Sequence, residues 1–238
     1  GDLTGIGKGR VLASVLRYAY LNDMPTVFIT KDQTLYNSMA REMAVLGMSE
    51  LVDRSRMLIT TTGVGIENDQ GEQMFPGRSG DELTQVYESG ALPAGIRVVF
   101  TCHSQLMTPA DAPRVEWLRA IAHDALVLVD ESHLSAGVDS LCGQNLRAIR
   151  DAARHTLFSS ATSAKEGKNL SLYAGTDLSL LGSSHHIEEI LRKGGAAAME
   201  AVPMMLAQEG QYIRREHDMS RAEYRAPEVP QEYVPAIR

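Results

Sequence analysis

A run of apolar residues that ends in two carboxylates lies in the middle of the chain: Ala125-Leu126-Val127-Leu128-Val129-Asp130-Glu131-Ser132-His133. A short, continuous apolar run is typical of a strand buried on both faces, as in a parallel sheet covered by helices. Carboxylates at the carboxyl end of such a strand stand where α/β folds bind ligands. We therefore take this stretch as the centre of an α/β sheet that carries a ligand site at its edge.

Four further apolar runs have the same character, and helical patterns separate them. The runs cover residues 27–29, 57–59, 98–100 and, more weakly, 156–158. Apolar residues follow helical spacing over residues 11–21, 35–46 and 141–153. Strands that alternate with helices of this length indicate right-handed β-α-β units. The sequence thus predicts an α/β fold with a mostly parallel sheet.

Two stretches depart from this alternation. Residues 63–95 contain seven glycines and two prolines, which predicts a long loop or insertion. Beyond about residue 180 the character changes again, with helical patterns over residues 187–193 and 196–211 and a proline-containing tail over 225–238. We therefore predict a main lobe over residues 1–180 and a smaller helical extension with an extended tail over residues 181–238.

Composition limits the possible function classes. The 238 residues are 44% hydrophobic and 22% charged, which is ordinary for a globular protein, and no apolar run is long enough to cross a bilayer. The net charge of −7 argues against a strongly basic nucleic-acid binder. Only Cys102 and Cys142 occur, without the paired spacing of a zinc site. We expect no membrane and no zinc, and a cytoplasmic protein of bacterial or phage type, or a nuclear one in a eukaryote.

A glycine-rich stretch, Thr4-Gly5-Ile6-Gly7-Lys8-Gly9-Arg10, directly precedes the first helical pattern. Backbone N–H groups at a glycine-rich helix start favour an anion, and a lysine there reaches the outer phosphates of a nucleotide. The pattern is imperfect, because Asp2 replaces the usual first glycine and Gly9 stands where Ser or Thr would offer Mg²⁺ a hydroxyl. By itself the stretch fits a phosphate loop and a plain helix start equally well.

The carboxylates after the central strand have distinct expected roles. Asp130 would hold Mg²⁺ through water, because this ion keeps much of its hydration shell. Glu131 would orient and deprotonate the attacking water, and His133 would sense the nucleotide state. The alternative is a strand end that caps a following helix. The glycine-lysine stretch earlier in the chain favours the catalytic interpretation.

A third polar stretch, Phe158-Ser159-Ser160-Ala161-Thr162, ends the last apolar run. Alone it indicates a turn or a helix N-cap. Because it follows the Asp-Glu-Ser-His stretch of residues 130–133, we expect Ser160, Ala161 and Thr162 to form a coupling motif. The hydroxyls of Ser160 and Thr162 would hydrogen-bond residues 130–133. Such a contact would couple hydrolysis to strand movement.

The order of these three motifs resembles that of superfamily 2 helicases. The form Gly-Asp-Leu-Thr-Gly-Ile-Gly-Lys-Gly-Arg over residues 1–10 resembles the strawberry notch family, which shares the Gly-Lys-Gly-Arg ending. Residues 198–215 and 224–230 resemble later segments of that family. The resemblance implies the first RecA-like lobe of a P-loop NTPase that uses ATP and Mg²⁺ and acts on nucleic acid, with DNA favoured over RNA.

The same resemblance implies roles for individual residues. Gly9 becomes a family trait, and Thr4 is a candidate for the missing metal hydroxyl. Thr30, Lys31 and Ser104 are expected at strand ends, where they would contact nucleic acid phosphates. For each of these three, an exposed loop residue without that role is the alternative.

Parts of a complete motor are not expected in these residues. A phosphate loop normally follows a central strand, and a second RecA-like lobe normally supplies arginines to the nucleotide. We expect residues 1–238 alone to bind ATP weakly and to hydrolyse it negligibly. Two alternatives to a helicase or translocase stay open: a RecA-like nucleotide switch that serves as a scaffold without unwinding, and a metabolic P-loop kinase.

Overall fold

The computed structural model describes residues 7–68, 70–135, 137, 139–160, 172 and 173, together with positions 189, 193, 194, 204, 208, 210 and 213. Its strands are β1 (Thr26–Thr30), β2 (Met57–Ile59), β3 (Ile66–Glu67), β4 (Gln73–Phe75), β5 (Val98–Cys102), β6 (Leu126–Asp130) and β7 (His155–Ser159). Its helices are α1 (Lys8–Leu21), α2 (Leu35–Val45), α3 (Gly80–Glu88), α4 (Pro113–Ala122) and α5 (Leu141–Ala152).

Five of the strands form one parallel sheet in the order β2-β5-β1-β6-β7. Every residue of β1, β5 and β6 is buried, because helices cover both faces of the sheet. Alternate side chains enter different cores: Phe28, Phe100 and Leu128 pack with α1 and α2, while Val27 and Val127 pack with α4 and α5. The result is a three-layer α/β/α arrangement.

The sequence prediction of the fold is confirmed. Each of the five predicted apolar runs is a strand of the parallel sheet, and each boundary lies within two residues of the prediction. The three predicted helical patterns of the main lobe correspond to α1, α2 and α5. The predicted helices over residues 187–193 and 196–211 and the tail over 225–238 lie outside the described residues, apart from isolated positions. The division at residue 180 therefore stays a prediction.

The stretch predicted as a loop or insertion contains regular structure. Strands β3 and β4 form an antiparallel hairpin, and α3 follows directly. Ser79 caps α3 reciprocally with Glu82: the Ser79 hydroxyl accepts from the Glu82 N–H, and the Glu82 carboxylate accepts from the Ser79 N–H. The Tyr87 hydroxyl donates to the carbonyl of Thr60 at 3.0 Å, which fixes α3 against the end of β2.

The described helices are short. The longest, α1, has 14 residues, and within the described parts of the chain no helix is both long and apolar enough to cross a bilayer. One face of α1 is buried against the sheet through Leu12, Ala13, Leu16 and Ala19. This packing fixes the start of α1 at the carboxyl edge of the sheet.

Candidate nucleotide site

The described residues of all three sequence motifs meet at the carboxyl edge of the parallel sheet. Lys8 is the first residue of α1, Asp130 is the last residue of β6, and Ser160 directly follows β7. Parallel strands place their carboxyl ends at one edge, so residues far apart in sequence become neighbours there. This edge is the candidate functional site.

The start of α1 is suited to an anion. Gly7 precedes the helix with φ 81°, a left-handed conformation that glycine adopts without strain. The first turn contains no acidic residue, and among the described residues no side chain caps its N–H groups. The free N–H groups and the helix dipole therefore favour a phosphate at this position. Thr4, Gly5 and Ile6, which were predicted to belong to the same loop, lie outside the described residues.

Lys8 contacts both carboxylates of the second motif. Its ammonium hydrogen-bonds Glu131 Oε1 and lies 3.2 Å from Asp130 Oδ1. Burial by itself lowers the pKa of Lys8, but the hydrogen bond to Glu131 and the charge of Asp130 outweigh burial and raise it. Lys8 is therefore charged, and an incoming phosphate competes with two carboxylates for it.

The Asp130 carboxylate is suited to a hard cation. One oxygen, Oδ2, accepts a hydrogen bond from the Thr30 hydroxyl at 3.4 Å. The other, Oδ1, is buried and has no hydrogen-bond partner among the described residues, although the Lys8 ammonium lies close by. A buried carboxylate oxygen with spare capacity fits Mg²⁺, which is held by one or two carboxylates together with substrate phosphates. Within the described residues, no group of three or more His, Cys, Asp or Glu side chains is placed to hold a metal ion.

Glu131 has an unusual backbone. Its φ is 49°, one of two positive values among the described residues other than glycine. A left-handed non-glycine residue costs of order 1–3 kcal/mol, and such residues cluster at active sites. Here the turn directs the Glu131 side chain towards Lys8 on one side and to within 3.4 Å of His133 Nδ1 on the other.

The second and third motifs are joined by a hydrogen bond. His133 Nδ1 lies 2.8 Å from the Ser160 hydroxyl, so the histidine contacts Glu131 and the residue after β7 together. Movement of β7 relative to β6 would disturb the contact between His133 and Ser160. Ala161 and Thr162 lie outside the described residues.

The remaining candidates separate into different environments. Lys31 and Ser104 are exposed beyond the ends of β1 and β5. Thr30, expected to contact nucleic acid, is fully buried, and its hydroxyl donates to Asp130. Its side chain therefore lies inside the candidate site and not at the surface. Arg10, expected to bind the nucleotide, pairs with Glu42 of α2. Gly9 has no side chain and therefore offers no hydroxyl to a cation.

One buried group at this edge was missed by the sequence interpretation. His103 Nε2 lies 2.9 Å from the backbone carbonyl of Asp130, and His103 Nδ1 hydrogen-bonds the Ser135 hydroxyl. Because a carbonyl only accepts, Nε2 carries the proton and Nδ1 accepts from Ser135. The Cys142 thiol lies 2.9 Å from the same hydroxyl. This network links the ends of β5 and β6 to α5, and no local sequence pattern indicates it.

The His103 network should make folding stability depend on pH. Burial lowers the pKa of His103 below its ordinary value of 6.5. As the pH falls below about 6.5, the unfolded chain takes up a proton that the folded chain refuses, so stability is full above that pH and declines below it. We expect denaturant unfolding to show a larger loss of stability between pH 7.5 and 5.5 in the wild type than in His103→Gln.

The matched control for this experiment is His123→Gln, which removes a histidine whose side chain is 82% exposed. This variant should keep the wild-type loss of stability on acidification. An equal loss in His103→Gln and in the wild type would show that His103 does not carry the effect.

A lysine at a glycine-preceded helix start, facing an Asp-Glu pair at the end of a parallel strand, defines the class of P-loop nucleoside triphosphate hydrolases. A family model described as "P-loop containing NTP hydrolase pore-1" matches residues 1–234. The chain belongs to this family.

Solved structures share the fold. The chain is similar to the Sulfolobus solfataricus SWI2/SNF2 ATPase core in complex with dsDNA, with a TM-score of 0.59 and 13% sequence identity. The similarity covers 90% of this chain and 39% of that one. The chain thus spans well under half of the length of that relative, and the likeness establishes the RecA-like fold. No curated protein matches the chain.

Proposed function

We propose that this chain is the ATP-binding first lobe of an ATP-dependent DNA helicase or translocase, with RNA a less favoured partner. The observation that carries the proposal is the contact of Lys8 with both Asp130 and Glu131, joined to β7 by the contact between His133 and Ser160. A phosphate-binding lysine, a metal-binding carboxylate and a base are thereby in reach of one nucleotide. The resemblance to superfamily 2 helicases, and to the strawberry notch family within them, supports the choice of a motor.

The residues of the site suggest how hydrolysis proceeds. The outer phosphates of ATP draw the Lys8 ammonium away from Glu131 and lie against the start of α1. Asp130 would hold Mg²⁺ through water, and the ion would neutralise charge on the phosphate oxygens. Glu131, released from Lys8, accepts a proton from the water whose oxygen attacks the γ-phosphorus, and ADP leaves with the bridging oxygen.

A motor also has to transmit this chemistry to a nucleic acid strand. His133 contacts both Glu131 and Ser160. A shift of Glu131 on loss of the γ-phosphate would therefore change the contact between His133 and the end of β7. Lys31 and Ser104 are exposed at the same edge and are available to strand phosphates. A second RecA-like lobe would supply the arginines that complete the site. The similar Sulfolobus structure contains dsDNA, which favours DNA as the partner here.

We expect the ATPase activity of the full-length protein to rise at least several-fold on addition of single- or double-stranded DNA. A steady-state phosphate-release assay with and without DNA, and with RNA in parallel, measures this.

Lys31→Ala should weaken DNA binding and reduce the slope of log affinity against log salt concentration by about one, because one phosphate contact is lost.

The matched control is Arg119→Ala, which removes an exposed cation from the last turn of α4, away from the carboxyl edge. It should leave DNA binding unchanged. ATPase activity that ignores DNA and RNA would instead favour the nucleotide-switch scaffold, and efficient phosphate transfer to a small molecule would favour a kinase. Retention of Glu131 argues against a pure scaffold, because a module that only binds nucleotide has no need of a base.

A further inference from the structure

The start of α1 lacks the hydroxyl that P-loops usually offer to a cation. Gly9 stands at that position, next to Lys8. Crowding does not explain the glycine: a Cβ at Gly9 would meet its nearest neighbour, Glu42 Cγ, at 3.6 Å, which is an ordinary contact. The space at position 9 therefore accepts a Cβ, and steric exclusion of a side chain does not account for the glycine. The cation site of this protein must be organised in another way.

A different hydroxyl reaches the cation-binding carboxylate from the neighbouring strand. β1 and β6 pair in parallel, with Ile29 opposite Val129, so the next residues, Thr30 and Asp130, are also neighbours. The Thr30 side chain is fully buried and its hydroxyl donates to Asp130 Oδ2. Burial of a hydroxyl is unfavourable unless it is hydrogen-bonded. The contact with Asp130 supplies the partner of the Thr30 hydroxyl and joins β1 to the cation-binding carboxylate.

The contact with Thr30 also leaves the second carboxylate oxygen of Asp130, Oδ1, available to a cation. The Thr30 hydroxyl lies 3.4 Å from Oδ2 on one side of the carboxylate, and the Lys8 ammonium lies 3.2 Å from Oδ1 on the other, where Oδ1 has capacity left for a cation. A carboxylate fixed through one oxygen can offer the other to a cation without losing side-chain entropy on binding.

We propose that Thr30 is a positioning residue of the divalent-cation site, holding the Asp130 carboxylate in place of the hydroxyl that position 9 lacks. The proposal rests on the proposed nucleotide-hydrolase function and assigns it a residue on β1. Thr30 acts through Asp130: its hydroxyl donates a hydrogen bond to Oδ2, and Oδ1, on the side of Lys8, stays available to the cation.

The test measures cation binding and not turnover. Full-length protein is saturated with ADP, and Mn²⁺, which substitutes for Mg²⁺, is titrated while the free ion is followed by its electron paramagnetic resonance signal. Loss of a group that orients a metal ligand typically weakens metal binding by 10–100-fold. We expect Thr30→Val to weaken Mn²⁺ binding by about tenfold or more, and Thr30→Ser, which keeps the hydroxyl, to stay within about threefold of the wild type.

A second buried threonine provides the matched control. The Thr60 hydroxyl donates to the Thr101 hydroxyl at 2.8 Å, and both residues are fully buried at the ends of β2 and β5. Thr60→Val removes a buried strand-end hydroxyl without touching Asp130, so Mn²⁺ binding should be unchanged. Binding of fluorescent ADP in EDTA should be the same in all variants, because Thr30 acts on the cation. Thermal unfolding establishes that each variant is folded, and Thr30→Ala serves if Thr30→Val is not.

The outcomes separate this proposal from the function on which it rests. Wild-type Mn²⁺ affinity in a folded Thr30→Val or Thr30→Ala variant overturns the role of Thr30, as does an equal loss in Thr60→Val or in Thr30→Ser. A wild-type protein that binds ADP but no Mn²⁺ also overturns it, while the nucleotide site stands. Absence of nucleotide binding in the wild type removes the proposed function itself.

Discussion

Glu131→Gln is expected to slow ATP hydrolysis by about 10²–10⁴-fold, the contribution of a general base, while ATP binds at least as tightly as in the wild type. The amide cannot accept the proton of the attacking water. It also cannot form an ion pair with Lys8, whose ammonium contacts Glu131 and Asp130 in the structure. Removing one carboxylate competitor leaves Lys8 freer to bind phosphate. Loss of turnover together with retained or improved affinity distinguishes a catalytic base from a residue that supports the fold.

In the full-length protein, single-turnover kinetics measure the rate of ATP hydrolysis, and equilibrium titration with a fluorescent ATP analogue measures the affinity for nucleotide. Glu42→Gln is the matched control, because Glu42 also pairs with a cation of α1, Arg10, but outside the site. The Glu42 side chain is 32% exposed and that of Glu131 24%, so the two ion pairs are similarly accessible. Glu42→Gln should hydrolyse ATP at the wild-type rate. If Glu131→Gln keeps more than about a tenth of wild-type turnover, Glu131 is not the base.

The strands were predictable because their signal is local. A strand buried on both faces needs a continuous apolar run, and β1, β5 and β6 each have one. The edge strand β7 is partly exposed along its length, and its run was correspondingly the weakest. The position of the site followed from the same signal, because ligand-binding residues of parallel sheets lie where strands end. This reasoning located Asp130, Glu131 and Ser160.

Helix α3 was missed although its start was readable. Ser79 and Glu82 have the spacing of a capping box, but glycines and prolines on both sides favoured a loop. The helix buries only Leu83 fully, so its apolar periodicity is weak. Its position depends on a tertiary contact, the hydrogen bond from Tyr87 to Thr60, which no local pattern indicates.

Contacts between strands were beyond the reach of the sequence. Thr30 and Asp130 are 100 residues apart, and whether they meet depends on which strands are neighbours and in what register. The same holds for His103 and the carbonyl of Asp130. The sequence therefore predicts the Thr30 hydroxyl at the surface, where polar residues at strand ends usually lie, whereas the structure buries it against Asp130.

Replacing Lys8 by methionine is expected to weaken ATP binding by about 10–150-fold, because a hydrogen bond to a charged group contributes about 1.5–3 kcal/mol. Methionine keeps much of the length of the lysine stem, so the loss reports the charge. The same substitution should destabilise the nucleotide-free protein, since Asp130 and Glu131 then face each other without their shared cation. Calorimetric titration with ATP and thermal unfolding measure the two effects.

A divalent cation should reverse part of the destabilisation that Lys8→Met causes. With Lys8 gone, Asp130 Oδ1 has lost its only nearby cation among the described residues, and Mg²⁺ can supply the missing positive charge. Millimolar Mg²⁺ is therefore expected to raise the melting temperature of Lys8→Met more than that of the wild type. The matched control is Arg10→Met, which removes another cation of α1. The ion pair of Arg10 with Glu42 is half-exposed, so this variant should change the free energy of unfolding by less than about 1 kcal/mol. Its melting temperature should respond to Mg²⁺ as that of the wild type does. Equal responses in Lys8→Met and Arg10→Met would mean that Lys8 is not the counter-charge of these carboxylates, and the proposed exchange of Lys8 between Glu131 and the phosphates would lose its physical basis.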